Sequence, residues 1–204
     1  MDVTAWSKGL SVEVGGRGVV SHVGSGLLRL AADRVGLTGA LSRVLARPGF
    51  WPVHDRGRVL ADLAVLIADG GSTISAIDTL RHQGELFGSV ASDTTVWRAL
   101  EEITSAQLAE IAVARAGVRE RVWNQVVARH GAIPAARVAG RDLGEVTVIR
   151  LDASIVVAHS EKQRAEPTFK KTFGFHPLMA WCDNTDGSLV IRLRPGRAGS
   201  NTAT

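Results

Sequence analysis

The sequence predicts an α+β fold, with a helical first part and a strand-rich remainder. Three observations carry this. From Leu27 to about His130 apolar residues recur at spacings of three and four, the period of a helix with one buried face. After the small-residue stretch 131–140 (GAIPAARVAG) the pattern turns to β-branched residues and alternation. The chain has 204 residues, 45% hydrophobic and 22% charged, close to the average for globular domains, which excludes wholesale disorder and a collagen-like or coiled-coil body. That length suits one large domain or two small ones.

The elements follow in order. The first 20 residues alternate loosely (Leu10, Val12, Val14, then Gly15, Gly16 and Gly18) and read as an extended or hairpin arm. Leu27, Leu30, Ala31 and Val35 form a first helical face, and Leu41, Val44 and Leu45 a second behind a Thr38 cap. Asp55 precedes a stripe of Val59, Leu60, Leu63, Leu66 and Ile67 that ends at Gly70 and Gly71. Thr73 opens a short helix carrying Ile74, Ile77 and Leu80, and Ser92 caps another carrying Val96, Leu100 and Ile103. Thr104 and Gln107 have the spacing of a capping box for a longer helix through Leu108, Ile111, Val118, Val122 and Val126.

Residues 131–140 then read as a linker, dividing the chain into a helical region, 1–140, and a second domain beginning at 141. Glu145–Ala158 is apolar on both alternating faces, the pattern of a strand buried on both sides. Thr172–Cys182 and Leu189–Arg194 read as two more strands joined by the turn Asp183–Gly187. Three strands with short links predict an antiparallel meander.

Several functions are excluded by composition. The longest apolar stretch, Val59–Ala68, contains Asp62 and is far shorter than the roughly 20 residues of a membrane span. The N-terminus lacks the apolar core of a secretory signal, so a cytoplasmic location is expected. The single cysteine, Cys182, excludes an internal disulfide and a CxxC zinc site, and beside Trp181 in a strand it reads as core filler. The histidines at 22, 54, 82, 130, 159 and 176 have no i,i+3 or i,i+4 partners for a metal set. Gly15–Gly18 lacks the strand and GxxxxGK context of a phosphate loop, and the five tryptophans are scattered as packing residues.

The net charge is +4, and the excess lies late in the chain. Residues 150–204 carry 8 basic and 5 acidic groups, against 10 and 9 in residues 1–100. Lys170, Lys171, Arg192, Arg194 and Arg197 make that end basic, which suits either nucleic acid or a solvated face.

Two features stand out for chemistry. Asp152 sits in the most apolar strand, where a buried carboxylate needs a cation or a hydrogen-bonding partner. It reads either as a metal ligand or as a structural carboxylate capping the backbone of Ser154 or Ile155. The segment Ser92–Leu100 (SDTTVWRAL) is similar to the second helix of helix-turn-helix units, in which Thr94, Thr95 and Arg98 would meet DNA. The connection from His82 to Ser92 is longer than a tight helix-turn-helix turn, so an ordinary amphipathic helix is an equal reading.

A series of motifs in order carries a resemblance. Leu151-Asp152-Ala153-Ser154, His159-Ser160-Glu161-Lys162, the run from Lys171 to Leu178 (KTFGFHPL), Trp181 to Thr185 (WCDNT) and Arg194 to Ala203 (RPGRAGSNTA) resemble bacterial insertion-sequence transposases of the DDE type, specifically the 1380 group. So do Gly18–His22, Val53–Leu60, Asp69–Gly71 and Ala91–Arg98, and the resemblance covers nearly the whole chain. It implies an RNase H-like catalytic domain, opened by the three strands and preceded by a helical DNA-binding region. It makes Asp152 the first catalytic carboxylate.

Family members use two Asp and a Glu to hold two divalent ions, usually Mg²⁺, about 4 Å apart for phosphoryl transfer. The implied partner is double-stranded DNA at the element's terminal inverted repeats, with Lys170, Lys171, Arg194 and Arg197 as candidate contacts and no membrane. A homo-oligomer or an intact transposase is a further partner. The second Asp and the Glu have no counterparts here. The sequence is therefore expected to be a truncated, catalytically incomplete copy or, alternatively, a non-catalytic DNA-binding fragment or inhibitor of intact transposase.

Overall fold

A computed structural model describes residues 22–158 and 162–199. The arm read at residues 1–20, and His159, lie outside the described residues. The chain divides into two compact units, Met1–Val122 and Trp123–Thr204. The result is mixed helix and antiparallel sheet, as an α+β fold requires. Among the described residues no helix is long and apolar enough to cross a membrane.

The first unit is built on α1 (Val23–Arg34), α2 (Leu37–Leu45), α3 (Arg56–Ala68), a 3₁₀ turn at Ile74–Ile77, the single turns α4 (Asp78–Arg81) and α5 (Gly84–Phe87), and α6 (Asp93–Glu101). The long helix α7 runs Ser105–His130. The expected stripes become the core: Val59, Val65 and Leu66 of α3 pack with Ile77, Leu80, Phe87, Val90, Ala91, Val96 and Ala99. Burying each larger side chain of this set contributes about 1.5–3 kcal/mol. α2 lies close against α3 because position 57 has no side chain; a Cβ there would sit 2.1 Å from the Ser42 nitrogen.

The helix starts follow local chemistry. The Asp55 carboxylate accepts from the Arg58 N–H at 2.8 Å at the start of α3, and Ser92 Oγ accepts from the Thr95 N–H at 3.4 Å at the start of α6. Thr104 and Gln107 form the reciprocal box that opens α7: Gln107 Oε1 accepts the Thr104 N–H at 3.0 Å, and Thr104 Oγ1 accepts the Gln107 N–H at 3.2 Å. Thr38 is a correction. The residue before α2 is Gly36, in the left-handed conformation at φ 78°, and Thr38 lies inside the helix, fully buried. Its hydroxyl donates to Asp33 Oδ1 at 2.6 Å and accepts from Arg29 Nη1 at 3.2 Å, because the buried charges of α1 need it there.

The second unit holds β1 (Arg137–Val138), β2 (Arg141–Asp142), β3 (Ile149–Ala153), β4 (Val156–Val157), β5 (Glu166–Pro167), β6 (Phe173–Phe175), β7 (Leu178–Cys182) and β8 (Gly187–Arg192). β1 and β2 form a small hairpin at the end of the stretch read as a linker. β3, β7 and β8 make an antiparallel sheet in that order, with Asp152 opposite Met179 and Met179 opposite Ile191. β4, β6 and β5 make another.

The predicted strands are divided and shifted. Glu145–Ala158 is not one buried strand: it changes sheet after Ala153, and β3 is solvent-exposed, with Leu151 68% accessible. β-branched residues favour an extended backbone, but burial requires something packed on the sheet, which alternation cannot supply. Thr172–Cys182 breaks at His176-Pro177, where proline has no N–H for a ladder and the His176 N–H bonds the Arg194 carbonyl at 3.1 Å. The turn at Asp183–Asp186 is where expected, closed by the Thr185 N–H on the Cys182 carbonyl at 3.2 Å. Buried Asn184 ties the unit together. Its Nδ2 donates to the Pro134 and Val146 carbonyls, each at 3.0 Å, and its Oδ1 accepts from the Val148 N–H at 2.9 Å.

Candidate functional site

In α6 the capping Ser92 fixes where the helix starts, and the spacing then sorts its side chains. Val96 and Ala99 face the core, while Thr94, Trp97 and Arg98 are exposed, with Trp97 52% accessible. Asp93 Oδ1 accepts from the Thr94 N–H at 2.6 Å and from its hydroxyl at 3.1 Å, which settles the first turn. Thr95 is half-buried, its hydroxyl 3.1 Å from Ser92 Oγ. The amphipathic reading and the outward polar face therefore coexist in one helix. The long connection from His82 is occupied by α5, so α4 and α6 are not joined by a tight turn.

Asp152 is exposed on β3. Its expected burial is overturned, and with it the cost that singled the residue out. Its Oδ1 accepts from the Ala153 N–H at 2.8 Å, not from Ser154 or Ile155. Arg150, two residues earlier on the same face, pairs with Asp183 at 3.2 Å and lies 5.6 Å over the Trp181 ring. Among the described residues no three His, Cys, Asp or Glu side chains gather as a metal site. One exposed carboxylate, already holding its neighbour's N–H, does not by itself fit a two-ion centre.

The late basic residues separate into two kinds. Lys170 and Lys171 are exposed at the tip of a loop closed by Thr168 and Thr172, whose hydroxyls are 2.7 Å apart. Arg197 is exposed and paired with Glu166 at 2.9 Å. Arg194 differs: it is buried, and its Nε donates to the His176 carbonyl at 3.1 Å. His176 is itself buried, with Nδ1 2.6 Å from the Ala198 carbonyl oxygen and its ring against Phe169. Cys182 is fully buried, as core filler should be.

Folding also assembles a cationic region that no local spacing announces. Arg56 grips Glu102 with two bonds of 2.9 Å, and Arg47 adds a third at 2.7 Å. Both guanidinium groups lie over the Phe50 ring, at 5.3 and 5.2 Å. The hydrogen bond from Arg56 is the largest cause holding the Glu102 carboxyl below its ordinary range. Burial, and then the charges of Arg58, Arg56 and Arg81, push the His54 imidazole below its ordinary value. On the same loop Trp51 is 92% exposed. The only sequence signal was the Arg56-Gly57-Arg58 run; Glu102 and Arg81 arrive from other elements.

Neither the curated proteins nor the solved structures gave a match to the chain. A family model described as "Transposase DDE domain group 1" matches residues 4–204. Spanning almost the entire sequence, including the strand of Asp152 and the helix of Arg98, that match makes this chain a member of the DDE transposase domain family.

Proposed function

We propose that the protein acts in DNA transposition as a DDE-type transposase of the 1380 insertion-sequence group. The observation that carries the reading is the family match over residues 4–204. The antiparallel order β3, β7, β8 supports an RNase H-like arrangement with Asp152 as the first carboxylate. DNA is the partner: the terminal inverted repeats of the element, met by the exposed face of α6 through Thr94 and Arg98, with Lys170, Lys171 and Arg197 as further backbone contacts. Arg194, buried and bonded to the His176 carbonyl, plays a structural part in this reading instead of touching DNA. A cytoplasmic location follows from this role.

DDE transposases use divalent metal ions, Mg²⁺ in our reading, for phosphoryl transfer. In this reading Asp152 is one ligand of such a centre without the second Asp and the Glu, and the chain recognises DNA without cutting it. Either a catalytically incomplete transposase or an inhibitor that occupies the ends fits this division, and Asp152 then contributes nothing to binding. A mobility-shift assay against duplexes carrying the element ends, and against scrambled duplexes, tests the reading. End-specific, salt-sensitive binding that survives Asp152→Asn and weakens in Arg98→Ala is expected. Equal affinity for scrambled DNA would refute it.

A further inference from the structure

We propose that the cleft between His54, Arg81 and the segment Gly88–Ser92 binds a phosphate group of the DNA backbone. The proposal rests on the reading of the chain as DNA-binding and adds to it a site away from the exposed face of α6. The cleft has a volume of about 360 Å³ and is lined by His54, Arg81, Gly88, Ser89, Val90 and Ser92. That volume is far more than the roughly 10–15 Å³ one water needs, so the cleft has room for a phosphate. No carboxylate is among the lining residues.

The donors suit an oxyanion. Arg81 offers a guanidinium fork, and its ion-pair contact, with Asp78, is long at 3.6 Å and exposed on both sides. Val90 is buried and Ser89 exposed, and among the described residues neither N–H donates to a protein group. Gly88 turns the chain at φ 68° and ψ −151°, a conformation open only to glycine, and so sets the direction of the two amides that follow. Arg56 and Arg58 reach the cleft electrostatically, since both act on His54. Their own side chains are engaged, Arg56 with Glu102 and Arg58 with the Phe87 carbonyl at 2.6 Å, so they supply field while Arg81 supplies contact. An arginine, two serines and backbone amides lining one cleft, with the carboxylate of Asp78 held off at 3.6 Å from Arg81, are the usual complement of a phosphate diester.

The test uses the whole ¹⁵N-labelled chain with two probes: inorganic phosphate, and a short duplex carrying the element end. Both are expected to shift the Ser89 and Val90 amide signals in the wild type. Arg81→Ala abolishes these shifts and Arg81→Lys restores part of them. Arg129→Ala, which removes one charge from the end of α7, leaves them intact. For the duplex, Arg81→Ala makes the slope of log K against log salt shallower by about 1, the loss of one phosphate contact. If the duplex binds and moves α6 signals while Ser89 and Val90 stay still with both probes, the cleft is not a phosphate site, and the DNA reading stands. If inorganic phosphate moves the two amides but the duplex does not bind, the DNA source is overturned.

Discussion

Arg29 of α1 donates from Nε to Asp62 Oδ1 of α3 across 2.7 Å, and neither side chain reaches solvent. Arg29 also meets Asp33 and the Thr38 hydroxyl, so two carboxylates share this guanidinium between three helices, with Arg58 Nε a longer 3.8 Å from Asp62. Burial pushes the Asp62 carboxyl above its ordinary value even though Arg29 pulls it down. The pair therefore fixes how α1 and α3 meet more than it adds net stability.

Removing the cation should be costly. Arg29→Ala leaves Asp33 and Asp62 buried without it, and breaking a buried pair in this way costs about 3–5 kcal/mol. Urea unfolding of Arg29→Ala against Arg29→Ala/Asp33→Asn/Asp62→Asn checks this. The triple variant should recover much of the loss; equal loss in both would show that packing, not charge, dominates.

Close approach of α2 and α3 is tested at the glycine between them. In Gly57→Ala the new methyl would overlap the Ser42 backbone, so the helices must separate. Overpacking of this kind costs about 1–3 kcal/mol. The thermal midpoint should fall, although alanine is the better helix former.

Stability should respond to His54 in mild acid. Its folded pKa lies below the ordinary 6.5, so the unfolded chain takes up the proton first as pH falls. The stability gained by keeping the ring neutral is complete above 6.5 and is lost as pH falls through the lower folded value. Denaturation midpoints measured from about pH 7 to pH 5 should therefore drop more steeply in the wild type than in His54→Asn.

In the second unit, Asn184→Ala should be disproportionately harmful for a turn residue. It strips partners from the Pro134 and Val146 carbonyls and the Val148 N–H, and since water can reach these partly exposed groups each lost bond costs about 0.5–1.5 kcal/mol. Hydrogen exchange at Val148 should accelerate sharply, whereas exposed Asp186→Ala in the same turn should leave it nearly unchanged.

The helical half was legible because its information is local. Stripe spacing placed α3, and capping chemistry at Ser92 and Thr104 placed the starts of α6 and α7. Thr38 misled because a hydroxyl ahead of a helix looks the same whether it caps the backbone or answers a buried arginine nine residues earlier. In the second unit the turn at Asp183–Asp186 was readable, but the exposure of Asp152 was not, since it depends on what covers β3. Arg194 read as surface charge for a similar reason: its acceptor, the His176 carbonyl, lies on another segment. The His54–Arg81 cleft has no sequence signature, because its residues are drawn from three separate places in the chain.

The claim that these residues carry DNA recognition without cutting is tested most directly by strand cleavage. A labelled duplex carrying the element end, incubated with the purified 204-residue chain and Mg²⁺, should be bound and remain full-length. Mg²⁺-dependent cleavage at the element end, lost in Asp152→Asn, would contradict the account and show that this chain completes a metal centre from its own residues.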